Sequence, residues 1–205
     1  MDRELAARIR SAAEALRRGG LVAYPTETFY ALGALASDAA AVARVARAKG
    51  RPDAKPLPLL AADRAAVEAI AVLAGPAARL AALLWPGPLT LVLPARAGLA
   101  GEISAGTGTV GIRVPAAELA RALAREAGGA LVSTSANLAG EPPPVRVEEL
   151  APPLRARLDA VLDGGTTPGG LPSTVVAFEG DALRIVRAGA IPPEALERAL
   201  RAGVR

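Results

Sequence analysis

The 205-residue chain contains no cysteine, no histidine and no glutamine, and a single asparagine, Asn137. Without thiols or imidazoles, several chemistries are excluded: disulfides, thiol nucleophiles, zinc sites of the Cys/His type, haem ligation and imidazole acid–base catalysis. Aromatic residues make up only 2% of the chain, which leaves few platforms for stacking nucleic-acid bases. Lysine is nearly absent, with Lys49 and Lys55 standing beside 22 arginines. No apolar run approaches the roughly 18 residues of a membrane span. The N-terminal segment MDRELAARIR reads as a charged helix rather than a signal peptide. A cytoplasmic protein with no membrane partner is therefore expected. Its chemistry must rest on hydroxyls, carboxylates, arginine, lysine and backbone amides.

What is present points to a packed α/β domain. Hydrophobic residues form 52% of the chain, 50 of them alanine, enough to bury a sizeable core. The net charge of +4 is spread along the chain and favours an anionic ligand. Residues 2–18 carry Leu5, Ile9, Ala12 or Ala13 and Leu16 at helical spacing and end at Gly19-Gly20. A short strand is expected over 21–24, and the polar stretch 25–33 reads as an ordered loop. Ser37-Asp38 caps a helix that stops at Gly50. Further strands are expected over 57–61, 89–93, 109–114 and 130–132, with a Gly-rich loop over 101–108. Helices are expected from Asp63, from Gly75-Pro76, over 116–127 and over 147–158, the last broken at Pro152-Pro153. A hairpin over 173–178 and 182–187 precedes a closing helix over 193–202. Alternating helices and strands with no linker or repeat predict one α/β domain over 1–205, a twisted mixed sheet flanked by helices.

The scarce polar residues are not scattered. Twelve of the 15 serines and threonines fall in five short segments: 26–28, 104–109, 133–135, 166–167 and 173–174. Several follow or open an apolar strand, where open α/β sheets place their ligands. In KGRPDAKPL (49–57), Lys49, Arg51 and Lys55 project from a Gly/Pro-punctuated helix exit. Two compact ammonium groups and a planar guanidinium suit a polyphosphate, although helix-end cations on a solvated turn have the same look. STSAN (133–137) offers hydroxyls for a phosphate or ribose, or an ordinary turn that satisfies its own backbone. Glu27 in PTETFY suits a base, a metal ligand or a loop staple, the last being favoured. Tyr24, Phe29 and Tyr30 fit a pocket wall or the core, and Trp85 the core. GEISAGTG (101–108) matches neither phosphate-loop pattern and reads as surface loop. Arg113, alternating with Val110, Ile112 and Val114, needs a buried partner, and a ligand carboxylate would serve.

Taken in order, YPTETFYALG (24–33), KGRPDAKPL (49–57), WPGPLTLVL (85–93), TVGIRVP (109–115), STSAN (133–137), PSTVV (172–176) and RAGAI (187–191) resemble the YrdC-like family of threonylcarbamoyl-AMP synthases. The resemblance implies a mixed sheet around a large concave cavity in the short, single-domain form. It implies synthesis of threonylcarbamoyl-AMP and pyrophosphate from L-threonine, bicarbonate or CO2, and ATP with Mg2+. A threonylcarbamoyl-transferase partner would then modify adenosine 37 of tRNA, and weak tRNA or RNA binding is a further expectation.

Carried over residue by residue, the resemblance gives Thr28, Arg113, Ser133 and Ser173 to threonine. It gives Arg51, Lys55, Thr109, Ser135, Asn137 and Arg187 to ATP, with Lys49, Arg51 and Lys55 as the catalytic cations; no metal ligand is implied. Three positions depart from the family pattern: Ala31 replaces a common Gly, Leu60 a His seen in some members, and Pro143 a small hydroxyl residue. The alternatives are an RNA-binding module and a same-fold paralogue acting on another small molecule.

Overall fold

The computed structural model describes residues 3–50, 56–99 and 101–202. In chain order the elements are α1 (Arg3–Arg17), β1 (Val22–Pro25), β2 (Tyr30–Gly33), α2 (Ala39–Ala48), β3 (Leu59–Leu60), α3 (Arg64–Ile70), α4 (Gly75–Leu84), β4 (Leu89–Pro94), α5 (Gly101–Ser104), β5 (Thr109–Arg113), α6 (Glu118–Ala127), β6 (Leu131–Val132) and β7 (Thr134–Ser135). A 3-10 turn (Val147–Glu149), α7 (Pro152–Arg155), β8 (Ala160–Val161), β9 (Thr174–Glu179), β10 (Ala182–Arg187) and α8 (Pro193–Ala202) follow.

The mixed β-structure is divided between two sheets. Four strands run in the order β7-β2-β1-β8 and six in the order β10-β9-β4-β5-β3-β6. The chain passes from one sheet to the other at a single residue. Leu131 and Val132 pair with β3 in the larger sheet, whereas Thr134 and Ser135 pair with β2 in the smaller. Ser133 sits at this crossover.

Helix ends follow local chemistry. Asp38 and Asp63 cap α2 and α3 by accepting from the amides of Ala41 and Ala66 at 3.0 and 2.9 Å. Gly128 ends α6 in the left-handed region at φ 82°. Two apolar clusters form the core. One packs α1 and α6 on Val22, Tyr24, Leu60 and Leu131. The larger fills the space among α2, α4, α8, the six-stranded sheet and one face of β1 and β2. No described helix is long and apolar enough to cross a membrane.

Residues 25–33 are not one loop. Tyr30–Gly33 is a strand, antiparallel to β1 with Pro25 opposite Tyr30. Every residue of β2 is buried, so no polar–apolar alternation advertises it. The turn is closed by a threonine rather than by an Asn-Gly pair: Thr26 Oγ1 donates to Phe29 O (2.8 Å) and accepts from the amides of Thr28 and Phe29. Gly33 completes the pairing, since a Cβ there would lie 2.5 Å from the Tyr24 ring. Two smaller differences concern length. The 57–61 strand shortens to Leu59–Leu60, and the Gly-rich stretch opens with one helical turn, α5.

Candidate functional site

A cavity of about 750 Å3 takes its wall from both sheets. Strand alternation sorts the larger sheet's residues. Thr109, Gly111 and Arg113 of β5 face the cavity, while Val110 and Ile112 between them are buried in the core. Thr90 and Val92 of β4 do the same beside core residues Leu89, Leu91 and Leu93. Val92 lies opposite Gly111 in the ladder. β10 supplies Arg184, Val186 and Arg187, and a register shift between Ile185 and Arg187 lets the consecutive residues 186 and 187 both reach the wall. Tyr30, Ala31, Thr134 and Ser135 come from the smaller sheet, and Thr28 from the β1–β2 turn.

Two guanidinium groups dominate the electrostatics. Arg113 Nη1 donates to Glu27 Oε1 at 2.5 Å, and their side chains are 9% and 15% exposed. Glu27 Oε2 also accepts from Ala117 N at 3.4 Å. The buried partner that Arg113 needed is thus a protein carboxylate, bound through one nitrogen of the fork. Arg187 Nη2 donates to Ser173 O (2.7 Å) and Ser173 Oγ (3.1 Å). Burial first, and then the like charge of Arg113, lower its pKa from the ordinary value. Arg187 forms no ion pair among the described residues. Among the described residues Arg113 and Arg187 repel each other and only Arg113 has a carboxylate partner, which leaves the cavity receptive to an anion.

The hydroxyls are arranged to match. Ser133 Oγ is buried and makes no hydrogen bond of good geometry, its nearest polar neighbour being the Tyr24 phenol, while its amide is tied to Pro58 O at 2.8 Å. Thr26 Oγ1 and Thr28 Oγ1 lie 3.1 Å apart, and Thr107 and Thr109 2.9 Å apart. Burial raises the Tyr24 and Tyr30 phenols to about 12, so both keep their protons at neutral pH. Tyr30 reaches Gly165 O (2.7 Å) and Asp163 Oδ1 (3.1 Å), anchoring the loop that brings Gly170 and Pro172 to the wall.

Of the residues expected from sequence, Thr28, Thr109, Arg113, Ser133, Ser135, Ser173 and Arg187 line this one cavity. Lys49 and Asn137 do not. Lys49 is 4% exposed, and its Nζ donates to Ser135 O (2.7 Å), Asn137 O (2.7 Å) and Asn137 Oδ1 (2.9 Å). Its ammonium lies under the 135–137 loop because a buried cation must satisfy its three donors, and those oxygens do so. Lys49 and Asn137 therefore brace the loop rather than form the wall. Arg51 and Lys55 lie outside the described residues; Pro56, Leu57 and Pro58, which follow, line the cavity. Leu60 faces away from the cavity, into the α1–α6 core, whereas Pro143 and Ala31 face it.

Sequence reasoning missed Thr90, Arg184 and the Glu27–Arg113 pair as parts of one site. Thr90 left one signal, as the only polar residue in the apolar run of β4.

The RAGAI segment holds Arg187 in place by close backbone approach. A Cβ on Gly189 would lie 2.3 Å from Pro172 O and 2.5 Å from Ser173 C. Those atoms are backbone and cannot rotate away. Gly189→Ala is expected to destabilise the protein by about 2–4 kcal/mol and to displace Arg187. Urea denaturation measures the loss of stability.

Fold and wall together define an α/β protein built around an anion-receptive cavity shared by two mixed sheets. The chain belongs to the Sua5/YciO/YrdC family, whose profile (Sua5_yciO_yrdC, described as "Telomere recombination") matches residues 14–189. A Bacillus subtilis (strain 168) protein named threonylcarbamoyl-AMP synthase is 42% identical over 194 residues, covering 92% of this chain and 55% of that protein. One of the same name from Stenotrophomonas maltophilia (strain K279a) is 47% identical over 164 residues, covering 78% and 87%. The crystal structure of P. abyssi Sua5 complexed with L-threonine superposes with a TM-score of 0.89 at 38% identity, covering 95% of this chain and 57% of that one. The chain thus spans little more than half the length of the B. subtilis and P. abyssi proteins.

Proposed function

We propose that the cavity binds L-threonine beside ATP and that the chain is a threonylcarbamoyl-AMP synthase, a nucleotidyltransferase. The observation that carries this reading is the convergence of Arg113, Arg187 and five expected hydroxyl residues on one cavity of about 750 Å3. The names of the curated relatives and the threonine complex of P. abyssi Sua5 support it.

In the proposed reaction the threonine amine loses a proton and takes up CO2, from bicarbonate, to give a carbamate. A carbamate oxygen then bonds to the α-phosphorus of ATP, and the P–O bond to the departing pyrophosphate breaks. No covalent enzyme nucleophile is needed, which a chain without cysteine or histidine can accommodate. Catalysis then rests on alignment, worth up to about 7–11 kcal/mol in favourable cases, and on stabilising charge at the phosphates. Arg113, with one guanidinium edge held by Glu27, would offer another to the threonine carboxylate. Thr28, Ser133 and Ser173 would complete the amino-acid end, and Thr109, Ser135 and Arg187 the nucleotide end. Lys49 and Asn137 would act through the 135–137 loop, and Arg51 and Lys55 would meet the phosphates.

Mg2+ would enter as part of the ATP substrate, held by phosphate oxygens and water. Among the described residues no three His, Cys, Asp or Glu side chains are grouped to hold a metal. The product would pass, in the cytoplasm, to a transferase that modifies adenosine 37 of tRNA.

The test is pyrophosphate release from ATP by the purified chain. Release that requires both L-threonine and bicarbonate, with threonylcarbamoyl-AMP seen by mass spectrometry, is the expected result. Release independent of threonine, or none, would remove the assignment.

A further inference from the structure

Thr90 has no part in the roles assigned so far, yet it is only 3% exposed and belongs to the cavity wall. Its Oγ1 lies 2.8 Å from Ser173 Oγ, and either atom can be the donor. Thr90 lies on β4, which pairs in parallel with β9 with Thr90 opposite Val175, and Ser173 immediately precedes β9. Arg187 Nη2 also reaches Ser173 Oγ, at 3.1 Å.

The protons at this trio can be assigned. A guanidinium has no acceptor, so Ser173 Oγ must accept from Arg187. Thr90 and Ser173 together hold two hydroxyl protons, and one of them fills the bond between the two oxygens. The other has no acceptor among the described residues, and both hydroxyls belong to the cavity wall. When Thr90 is the donor, Ser173 Oγ accepts from two sides, and the direction left for its own proton is away from both donors. The chain Arg187–Ser173–Thr90 then presents one proton, polarised by a cation. That proton suits an anionic oxygen.

We propose that Thr90 is a positioning residue: it holds the Ser173 hydroxyl as a donor to an oxygen of the amino-acid substrate. The proposal rests on the reading that this cavity receives L-threonine. Thr90 itself need not touch the substrate; it acts by occupying the second acceptor position of Ser173, so that the serine cannot turn its proton inward.

Thr90→Val keeps the branched shape and removes the hydroxyl, while Thr90→Ser keeps the hydroxyl and removes the methyl. The Val variant is expected to raise the KM for L-threonine about tenfold, the order of effect for a hydrogen bond to a charged group, with kcat and the KM for ATP within twofold of wild type. The Ser variant is expected to restore the wild-type KM. L-threonine binding by calorimetry should follow the same order. An unchanged L-threonine KM in the Val variant would overturn the proposal, as would equal rises for both substrates or a Ser variant no better than Val. If the wild-type chain shows no threonine-dependent pyrophosphate release, the underlying function falls and this proposal with it. If the wild type is active and only the variant pattern fails, the role of Thr90 alone is refuted.

Discussion

Arg113→Ala is expected to cut L-threonine-dependent pyrophosphate release at least tenfold. The guanidinium is buried, and its charge-assisted bonds are worth about 1.5–3 kcal/mol each, or roughly 10- to 150-fold in rate or affinity. The same change leaves the part-buried Glu27 carboxylate without its cation, so stability should fall by about 1–3 kcal/mol. The two consequences can be separated. In a Glu27→Gln, Arg113→Ala double variant no charge is stranded, so much of the lost stability should return while activity does not. Urea unfolding alongside the pyrophosphate assay decides the matter. If the double variant recovers activity together with stability, Arg113 serves only to hold Glu27, and its place at the substrate carboxylate is lost.

Lys49→Met is expected to act through the loop, with its largest effect on stability. The methionine keeps most of the apolar stem, but Ser135 O, Asn137 O and Asn137 Oδ1 lose the donor they share. Leaving buried acceptors unsatisfied costs about 1–3 kcal/mol each, so a loss of around 3 kcal/mol is a conservative expectation. For a chain of this size that corresponds to a melting temperature lower by about 6–12 °C. Activity should drop as well, because Ser133 and Ser135 belong to the segment that Lys49 supports. Calorimetric melting separates this role from direct phosphate binding. A variant that melts like wild type but binds ATP poorly would mean that Lys49 meets the nucleotide itself.

The difference between Lys49 and Arg113 shows where reading the sequence succeeds and where it stops. Rarity singled out Lys49 as a phosphate-binding candidate, and the structure places its ammonium on the oxygens of the 135–137 loop. Rarity could not say whether the ammonium turns toward a ligand or under a loop. That depends on which carbonyls the fold turns toward it, and Asn137 lies 88 positions away in the chain. Arg113 was readable as a buried cation from the apolar residues on either side. Its partner Glu27, 86 positions distant, was readable as a base, a metal ligand or a loop staple, but not as the partner of this cation. The hairpin of β1 and β2 was half seen: the first strand stood out as an apolar run. The second was masked because both of its faces are covered.

Local rules were enough to define most helices, their aspartate and glycine ends, the β9–β10 hairpin and the α/β class, because each depends on neighbours within a few residues. The grouping of hydroxyls was also legible, since a chain this poor in polar groups cannot hide the ones it keeps, although the 166–167 segment does not belong to the cavity wall. Which hydroxyls share a wall was decided elsewhere. The chain changes sheets at Ser133, the register slips before Arg187, and Thr90 comes to lie beside Ser173 across a gap of 83 residues. Such placements follow from how strands pair over long separations. No short stretch of sequence carries that information, because pairing energy is spread over the whole sheet and its packed faces.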